Sequence, residues 1–254
     1  MPTSQHPYIP TGRAVEWFHR ALNGIRKVAA GLRPFSESVW PGVRNDLFVA
    51  HQSIYQFFAK DVRDRDVLDA GCGTGYGSQI LAKSGAKSVI GVDLDRRNVA
   101  FARKRYSGLN LTFGVADIEK LDFADESFDL VVASNSIEHL HHPEIFLQRT
   151  RRLLRPEGKA LIAVPPIYTN ADAQVHAGIH YHRSNLTVAE WAARIGDAGF
   201  MTSGFLHRGP AGVDFASHLP SRLSPEDFLF TPTTVDGLSS QLSITAIFCA
   251  VKPR

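Results

Sequence analysis

The sequence predicts an α/β protein built on a doubly wound, mostly parallel sheet. Two observations support this: strand-like and helix-like patterns alternate along the chain, and a glycine-rich turn follows the first strong strand. Alternation of this kind is typical of parallel strands joined by crossover helices. The predicted strands cover 66–70, 88–93, 110–113, 128–134 and 159–165, and the predicted helices cover about 76–84, 95–105, 143–154 and 187–198.

The turn after the first predicted strand is the most informative segment. It reads VLDAGCGTGYG over residues 67–77, and the next strand pattern, SVIGVD, ends in Asp93. A strand, a glycine turn and an acid at the tip of the next strand are typical of an open sheet that binds an adenosine-containing ligand. Glycine lets the main chain approach the ligand closely, and the acid accepts the ribose hydroxyls.

The spacing of the glycines disfavours a dinucleotide. A dinucleotide fingerprint has glycine at its first, third and sixth positions, whereas Tyr76 or Ser78 occupies the sixth position here. The loop also lacks the Lys-Ser/Thr pair of a phosphate-binding loop. A ligand with an ammonium group and a sulfonium fits better, so a dinucleotide oxidoreductase is disfavoured.

These residues closely resemble the motifs of class I S-adenosylmethionine-dependent methyltransferases, from about residue 66 to residue 251. DAGCGTG is similar to the first motif and GVDLD (91–95) to the second. The stretch 114–140 is similar to the third and fourth motifs, and 153–166 to the region of the fifth strand. The resemblance implies a seven-stranded sheet whose antiparallel last strand is SITAIFCAV (243–251), paired with a sixth strand near 200–207.

The resemblance also implies the cofactor S-adenosylmethionine, which leaves as S-adenosylhomocysteine. Glycines of the loop would line its methionine part, Asp93 would hold the ribose, and Asp117 would accept from the adenine amino group beside the main chain of Ile118. The expected cofactor residues are Asp69, Gly71, Cys72, Gly73, Gly75, Asp93, Leu94, Asp117, Ile118 and Ser134.

The segment ASNSIEHLHHP follows the fourth predicted strand, where a base would stand beside the sulfonium. Methyl transfer to a hydroxyl needs an aligned acceptor and removal of a proton. We expect His139 to be the base, because an unperturbed imidazole titrates at about 6.5. Glu138 would orient its ring or bind the acceptor. The alternative, that both residues begin a turn and contact ribose or solvent, stays open.

The acceptor pocket is expected to include Tyr168, His180, Tyr181 and His182. By the family likeness His182 precedes the fifth crossover helix and shapes this pocket. A metal site built on His180 and His182 is disfavoured, because no third ligand is obvious. If magnesium is used, as in some sugar methyltransferases of this class, Glu138, Asp117 or Asp172 would hold it.

Composition limits the partners and the compartment. The 254-residue chain has 28 basic and 25 acidic residues, a net charge of +3, which gives no general case for nucleic acid. The fourth motif also differs from the Asn/Asp-Pro-Pro-aromatic box of enzymes that methylate bases. Cys72 and Cys249 are expected to be reduced. We see no stretch of the ~20 apolar residues that span a bilayer and no signal peptide, so we expect a cytoplasmic protein.

We expect one domain with embellishments. Residues 1–60 would form a helical extension with a basic amphipathic helix and a second helix at 45–59, and residues 61–207 the cofactor-binding core. Residues 208–240 would be an insertion that serves as a substrate cap or an oligomer contact, and residues 241–254 the last strand. A homodimer stays an open alternative.

The predicted function is methyl transfer to a hydroxyl of a sugar or glycan. The predicted helix at 45–59 and the residues of the first two motifs resemble those of bacterial glycan methyltransferases. The loops outside the sheet core carry polar and aromatic groups suited to a polyol. A phenolic or quinone-type small metabolite is the second choice. A catalytically silent protein that binds the cofactor as a sensor or scaffold is the third.

Overall fold

The structure is a computed structural model that describes residue 42 and residues 44–179, 181–215, 217 and 219–254. The predicted basic amphipathic helix and most of the predicted extension therefore lie outside the described residues. The predicted second helix is confirmed. The described α-helices are α1 (Asp46–Phe58), α2 (Tyr76–Lys83), α3 (Arg96–Arg105), α4 (Pro143–Leu153), α5 (Asn170–Ala177), α6 (Val188–Asp197) and α7 (Val235–Ser240).

The described strands form one eight-stranded sheet in the order β3-β2-β1-β4-β5-β8-β6-β7. The pairs from β3 to β5 are parallel, and β8 pairs antiparallel with both β5 and β6. The predicted doubly wound sheet with an antiparallel last strand is confirmed. Its strands are β1 (Asp66–Ala70), β2 (Ser88–Asp93), β3 (Leu111–Val115), β4 (Phe128–Ser134), β5 (Leu154–Val164), β6 (Met201–Arg208), β7 (Leu229–Thr233) and β8 (Thr245–Val251).

The strand count differs from the predicted seven because the insertion supplies an edge strand. Strand β7 pairs antiparallel with β6 and includes Pro232, which an edge strand tolerates because one side needs no ladder donor. Ser224 precedes a short 3-10 turn, Pro225–Asp227, and its amide and hydroxyl both donate to the Asp227 carboxylate. Phe228 packs with Val49 of α1 in a small apolar cluster, so the insertion also covers the helix that precedes the first strand.

Helix α1 packs against the core through several apolar side chains, among them the ring of Tyr55. Asn45 caps the helix by accepting from the Phe48 amide, and Tyr55 lies buried on the inner face. A methyl group at Gly77 would overlap the ring of Tyr55, so the first turn of α2 needs glycine there. The close approach of α1 to α2 therefore depends on the absence of a side chain at residue 77.

The order in which strands are added to the sheet reverses at β1: β2 and β3 lie on one side of it, and β4 and β5 lie on the other. In open α/β sheets, ligands bind outside the carboxyl ends of the strands at such a reversal. The loops after β1, β2, β3 and β4 meet at this edge. One apolar layer packs on each face of the sheet and holds the strands in place. Among the described helices, none has both the length and the apolar character that crossing a bilayer requires.

Gly77→Ala should destabilise the protein, because the new methyl group has no room beside Tyr55. Overpacking of this kind costs about 1–3 kcal/mol in the free energy of unfolding, which urea denaturation would measure. Gly196→Ala is the matched control, since nothing lies within 4 Å of its added methyl group in α6. That change should stabilise the protein by about 0.5–1 kcal/mol. Equal effects of the two changes would contradict the packing argument.

Candidate active site

The predicted cofactor residues come together at the carboxyl edge of the sheet. Gly71 follows β1, Asp93 ends β2, Asp117 lies two residues beyond β3, and Ser134 ends β4. These strands are adjacent and parallel, so their carboxyl ends lie at the same edge. The structure thus assembles the surface that the sequence predicts, and contact of each residue with a cofactor stays a prediction.

The glycine loop needs its glycines for conformation and for space. Gly71, Gly73 and Gly75 have φ angles of 79°, 54° and 82°, in the region that disfavours other residues. A methyl group on Gly71 would lie 2.5 Å from Cβ of Ser136. The amides of Gly71 and Cys72 both donate to the carbonyl of Val92, at 2.8 and 2.9 Å. The loop is therefore bound to the end of β2.

Asp93 joins this loop to the helix that follows. Its Oδ2 accepts from the Gly73 amide at 2.9 Å, and its Oδ1 accepts from the Asp95 amide at 2.8 Å and from Asn98 Nδ2 at 3.2 Å. These bonds fix the carboxylate at the strand tip. A carboxylate offers about four lone-pair sites and these three bonds use three of them, so the half-buried group retains capacity for about one further donor, such as a ribose hydroxyl.

Asp69 lies behind the glycine loop and is completely buried. Its Oδ1 accepts from the hydroxyl of Tyr55 at 3.1 Å, and its Oδ2 accepts from the hydroxyl of Ser78 at 2.6 Å. Burial raises the pKa of this carboxyl to about 6, although the two hydroxyl donors oppose the shift. Asp69 therefore connects β1 with α1 and α2, and direct contact with the cofactor stays a prediction.

Four other predicted cofactor residues have distinct surroundings. The Cys72 side chain is buried in the core, which raises the pKa of its thiol, whereas Leu94 is 71% exposed beside Asp93. Asp117 caps the 3-10 turn Ile118–Lys120 and pairs with Lys120 at 3.0 Å. Ile118 is buried, so it can offer the cofactor mainly its main chain. Cys72 is likewise buried, so it too can offer the cofactor mainly its main chain.

Two buried polar atoms lie where β4 ends. Ser134 Oγ and Asn135 Nδ2 have no hydrogen-bond partner in the described part of the chain. Asn135 also has a φ of 47°, a conformation that asparagine tolerates better than most residues. Unpartnered buried groups and unusual backbone often mark sites where a ligand completes the hydrogen bonding. These groups fit a cofactor that lies across the glycine loop, with Ser134 at its edge.

Glu138 and His139 lie on the 3-10 turn Ile137–His139, directly beyond β4. Glu138 is only 2% exposed, and its carbonyl accepts from the amides of Arg183 and Ser184 at 2.8 and 2.9 Å. His139 Nδ1 lies 3.2 Å from the carbonyl oxygen of Tyr181. The predicted base and its neighbour are therefore held against the loop 181–184, where two of the predicted acceptor residues lie.

A row of imidazoles extends from His139 across this loop. The centroids of the His139 and His182 rings are 5.2 Å apart, and those of His176 and His182 are 5.7 Å apart with nearly parallel planes. Burial lowers the pKa of His182 to about 3, with smaller contributions from His139 and His176. His182 is therefore neutral at physiological pH. The predicted pocket residue His180 lies outside the described residues.

The remaining predicted pocket and metal residues lie around this row. Tyr168 packs against the core, and burial raises the pKa of its hydroxyl to about 12. Asp172 accepts from the Thr169 amide at 2.9 Å in the capping box of α5, and Asp117 is occupied with its own turn. Neither acid joins Glu138, so a magnesium site built from these three carboxylates lacks support. A different set, Glu138 with His139 and His182, places three ligand atoms within 4.8 Å of one another.

Sequence reasoning missed several contacts that shape the site. It did not anticipate that Tyr55 and Ser78 secure Asp69, or that His176 lies on a helix, α5. Thr169 and Asp172 form a capping box at the spacing that marks the start of α5, so this signal was present in the sequence. The contacts of Tyr55 and Ser78 join separate parts of the chain, so no local pattern could have revealed them.

Comparisons with known proteins agree with this geometry. Residues 68–162 match a family model described as a methyltransferase domain. A probable S-adenosylmethionine-dependent methyltransferase of Mycolicibacterium smegmatis is 36% identical over 166 residues, which cover 65% of this chain and 63% of that protein. A ubiquinone biosynthesis O-methyltransferase of Rhizobium etli is 33% identical over 107 residues, 41% of this chain and 43% of that protein.

A solved structure from Thermotoga maritima, described as an S-adenosylmethionine-dependent methyltransferase and possible histamine N-methyltransferase, has the same fold. Its TM-score is 0.63 at 19% identity, over 93% of this chain and 99% of that chain. Residues 68–162 are thus similar to a methyltransferase domain, and the fold of the described residues is that of a solved structure described as an S-adenosylmethionine-dependent methyltransferase. The chain spans 57–63% of the length of its mycobacterial relatives.

Asp93→Asn should weaken binding of S-adenosylhomocysteine, because it removes the charge expected to receive the ribose hydroxyls. Hydrogen bonds to charged groups contribute about 1.5–3 kcal/mol, so calorimetry should detect a loss of about 10- to 100-fold in affinity. Asp95→Asn is the matched control: it lies two residues away and faces Arg97, with which it pairs at 2.7 Å. Equal losses in both variants would argue against Asp93 as the ribose ligand.

Asp69 should give the protein a distinctive dependence of stability on pH. Its folded pKa of about 6 lies above the ordinary value of 3.8, so the protonated form favours folding. This contribution is fully present below about pH 4 and is lost as pH rises through about 6. Asp69→Asn removes this titration. The stability of the wild type relative to the variant should therefore fall between pH 4 and pH 6.5 in urea titrations, and a constant difference would contradict the raised pKa.

Proposed function

We propose that this chain transfers a methyl group from S-adenosylmethionine to a hydroxyl of an acceptor, with His139 as the base that takes the hydroxyl proton. The observation that carries this proposal is the hydrogen bond between Nδ1 of His139, which lies just beyond the end of β4, and the carbonyl of Tyr181. It orients an imidazole beside the edge where Ser134, Asp93 and the glycine loop are gathered.

This hydrogen bond also supports the tautomer that a base requires. A carbonyl oxygen can only accept, so Nδ1 of the neutral ring must carry the hydrogen. The lone pair of the ring then lies on Nε2. A ring so oriented can receive a proton without first changing its tautomer, which is the role that a neighbouring main-chain carbonyl often has for a catalytic histidine.

The proposed reaction is an in-line displacement. When bound, S-adenosylmethionine supplies the methyl group, and its sulfur leaves as the neutral thioether of S-adenosylhomocysteine. The acceptor oxygen forms the new bond to the methyl carbon while the carbon–sulfur bond breaks, and the hydroxyl proton passes to Nε2 of His139. The glycine loop and Asp93 hold one reactant, and the loop 181–184 aligns the other.

For the acceptor we propose a sugar or glycan hydroxyl. Support comes from the polar lining beyond His139, where His176, Tyr181, His182 and Asn185 lie on a half-buried surface. Asn185 Oδ1 is buried and has no hydrogen-bond partner in the described part of the chain, so it is suited to receive a hydroxyl. No relative reported above is named for a sugar acceptor, so this specificity depends on the chemistry of the lining alone.

A phenolic or quinone-type acceptor is the second candidate. The name of the Rhizobium etli relative, a ubiquinone biosynthesis O-methyltransferase, favours it. A phenol has a lower pKa than a sugar hydroxyl, so it would depend less on the base. Methyl transfer assays with matched panels of monosaccharides, oligosaccharides and catechols would separate the two candidates. Turnover of catechols alone would refute the sugar proposal.

His139→Ala should lower turnover by about 100-fold or more if the ring takes the proton, while affinity for S-adenosylhomocysteine stays within a fewfold of the wild type. His141→Ala is the matched control, because His141 lies two residues away on the exposed side of the same loop. The readouts are turnover with excess cofactor and calorimetric affinity. An unchanged rate in His139→Ala would remove this residue from the mechanism, and cofactor binding with no turnover on any acceptor would favour a silent sensor or scaffold.

A further inference from the structure

We propose that Glu138, His139 and His182 form a binding site for one divalent metal ion such as zinc, and that the bound ion inhibits methyl transfer. The inhibition depends on the proposed function of His139, whereas the binding site does not. The two parts can therefore fail separately.

The proposal starts from the distances within this cluster. One ligand atom from each of the three residues lies within 4.8 Å of the other two. In a tetrahedral zinc site with bonds of about 2.0–2.2 Å, ligand atoms are roughly 3.3 Å apart. The separations within the cluster are therefore of the order that a loaded site requires.

The main chain already holds the ligands together. Glu138 and His139 are consecutive on one 3-10 turn, and His182 lies on the facing loop. The Arg183 and Ser184 amides donate to the Glu138 carbonyl, and the Ser184 hydroxyl donates to the Leu140 carbonyl at 2.7 Å. A site whose ligands are fixed before binding loses less conformational entropy when the ion arrives.

His139 has the outer contact that metal-binding histidines usually have. Its Nδ1 hydrogen bonds to the carbonyl of Tyr181, which fixes the tautomer in which Nε2 carries the lone pair. Ligating histidines almost always donate their other ring hydrogen to a carbonyl, carboxylate or water. This contact therefore serves a metal ion as well as it serves a proton.

The donor set indicates which ions fit. Two imidazoles and one carboxylate suit zinc, iron, cobalt or copper, whereas magnesium prefers oxygen ligands and keeps several waters. Glu138 is only 2% exposed, so a cation beside it would interact with the carboxylate through little solvent. This set differs from the magnesium set suggested by the sequence, since Asp117 and Asp172 have no part in it.

Binding of the ion should inhibit the proposed reaction. A nitrogen that coordinates a metal ion has no lone pair left for a proton, so the ion and the proton exclude each other on Nε2 of His139. The ion would also lie where the acceptor hydroxyl approaches. Excess zinc should therefore abolish turnover, and a chelator should restore it.

Zinc binding can be measured with the full chain after any polyhistidine tag has been removed. Calorimetry with zinc chloride should give one ion per chain, and cobalt(II) should give the visible absorption of a tetrahedral site. Glu138→Gln and His182→Asn should each weaken zinc binding by at least tenfold. His141→Asn is the matched control and should bind zinc like the wild type, because His141 is exposed and outside the cluster.

Each outcome has a definite meaning. Absence of zinc binding by the folded wild-type protein, or equal affinity in the wild type and both ligand variants, would overturn the metal site and leave the proposed function intact. Zinc binding with a reversible loss of turnover supports both parts. Zinc binding with increased turnover would confirm the site but refute inhibition and His139 as the base. If a ligand variant fails to fold, the cobalt spectrum of the wild type still tests the coordination geometry.

Discussion

The buried carboxyl of Asp69 is the constraint on which the cofactor edge depends. It accepts hydrogen bonds from the hydroxyls of Tyr55 on α1 and Ser78 on α2, and it lies near the end of β1, just before the glycine loop. Burial of this group is unfavourable for the charged form, as its raised pKa records. The two hydrogen bonds compensate in part and, in doing so, fix both helices relative to the loop. Asp69 therefore supports the site by positioning the glycine loop and the two helices around it.

A second constraint fixes the reactive side of the site. The turn after β4 and the loop 181–184 are far apart in sequence, yet they are joined through the carbonyl of Glu138 and the ring of His139. The acceptor side can therefore be as rigid as the cofactor side, even though it lies on loops. Rigid placement matters because methyl transfer requires the oxygen, the carbon and the sulfur to be in line.

The same turn explains why one site supports two proposals. An imidazole whose Nδ1 donates to a carbonyl presents Nε2 as a base, and the buried carboxylate and second imidazole beside it complete a metal-binding set. The proposals differ in what occupies Nε2, which is a proton during turnover and an ion in the inhibited protein. Under both proposals, competition between these occupants would link methyl transfer to the availability of such metal ions.

The sequence by itself determined the parallel core, the glycine loop and the acid at Asp93, because strand alternation and turn chemistry are local properties of the chain. It also placed Glu138 and His139 after β4. The eighth strand was missed, since an edge strand containing Pro232 has a weak pattern and is formed by pairing with β6. The tertiary structure alone brought His182 to His139 and Tyr55 to Asp69, because such contacts depend on how distant segments pack and leave no spacing in the sequence.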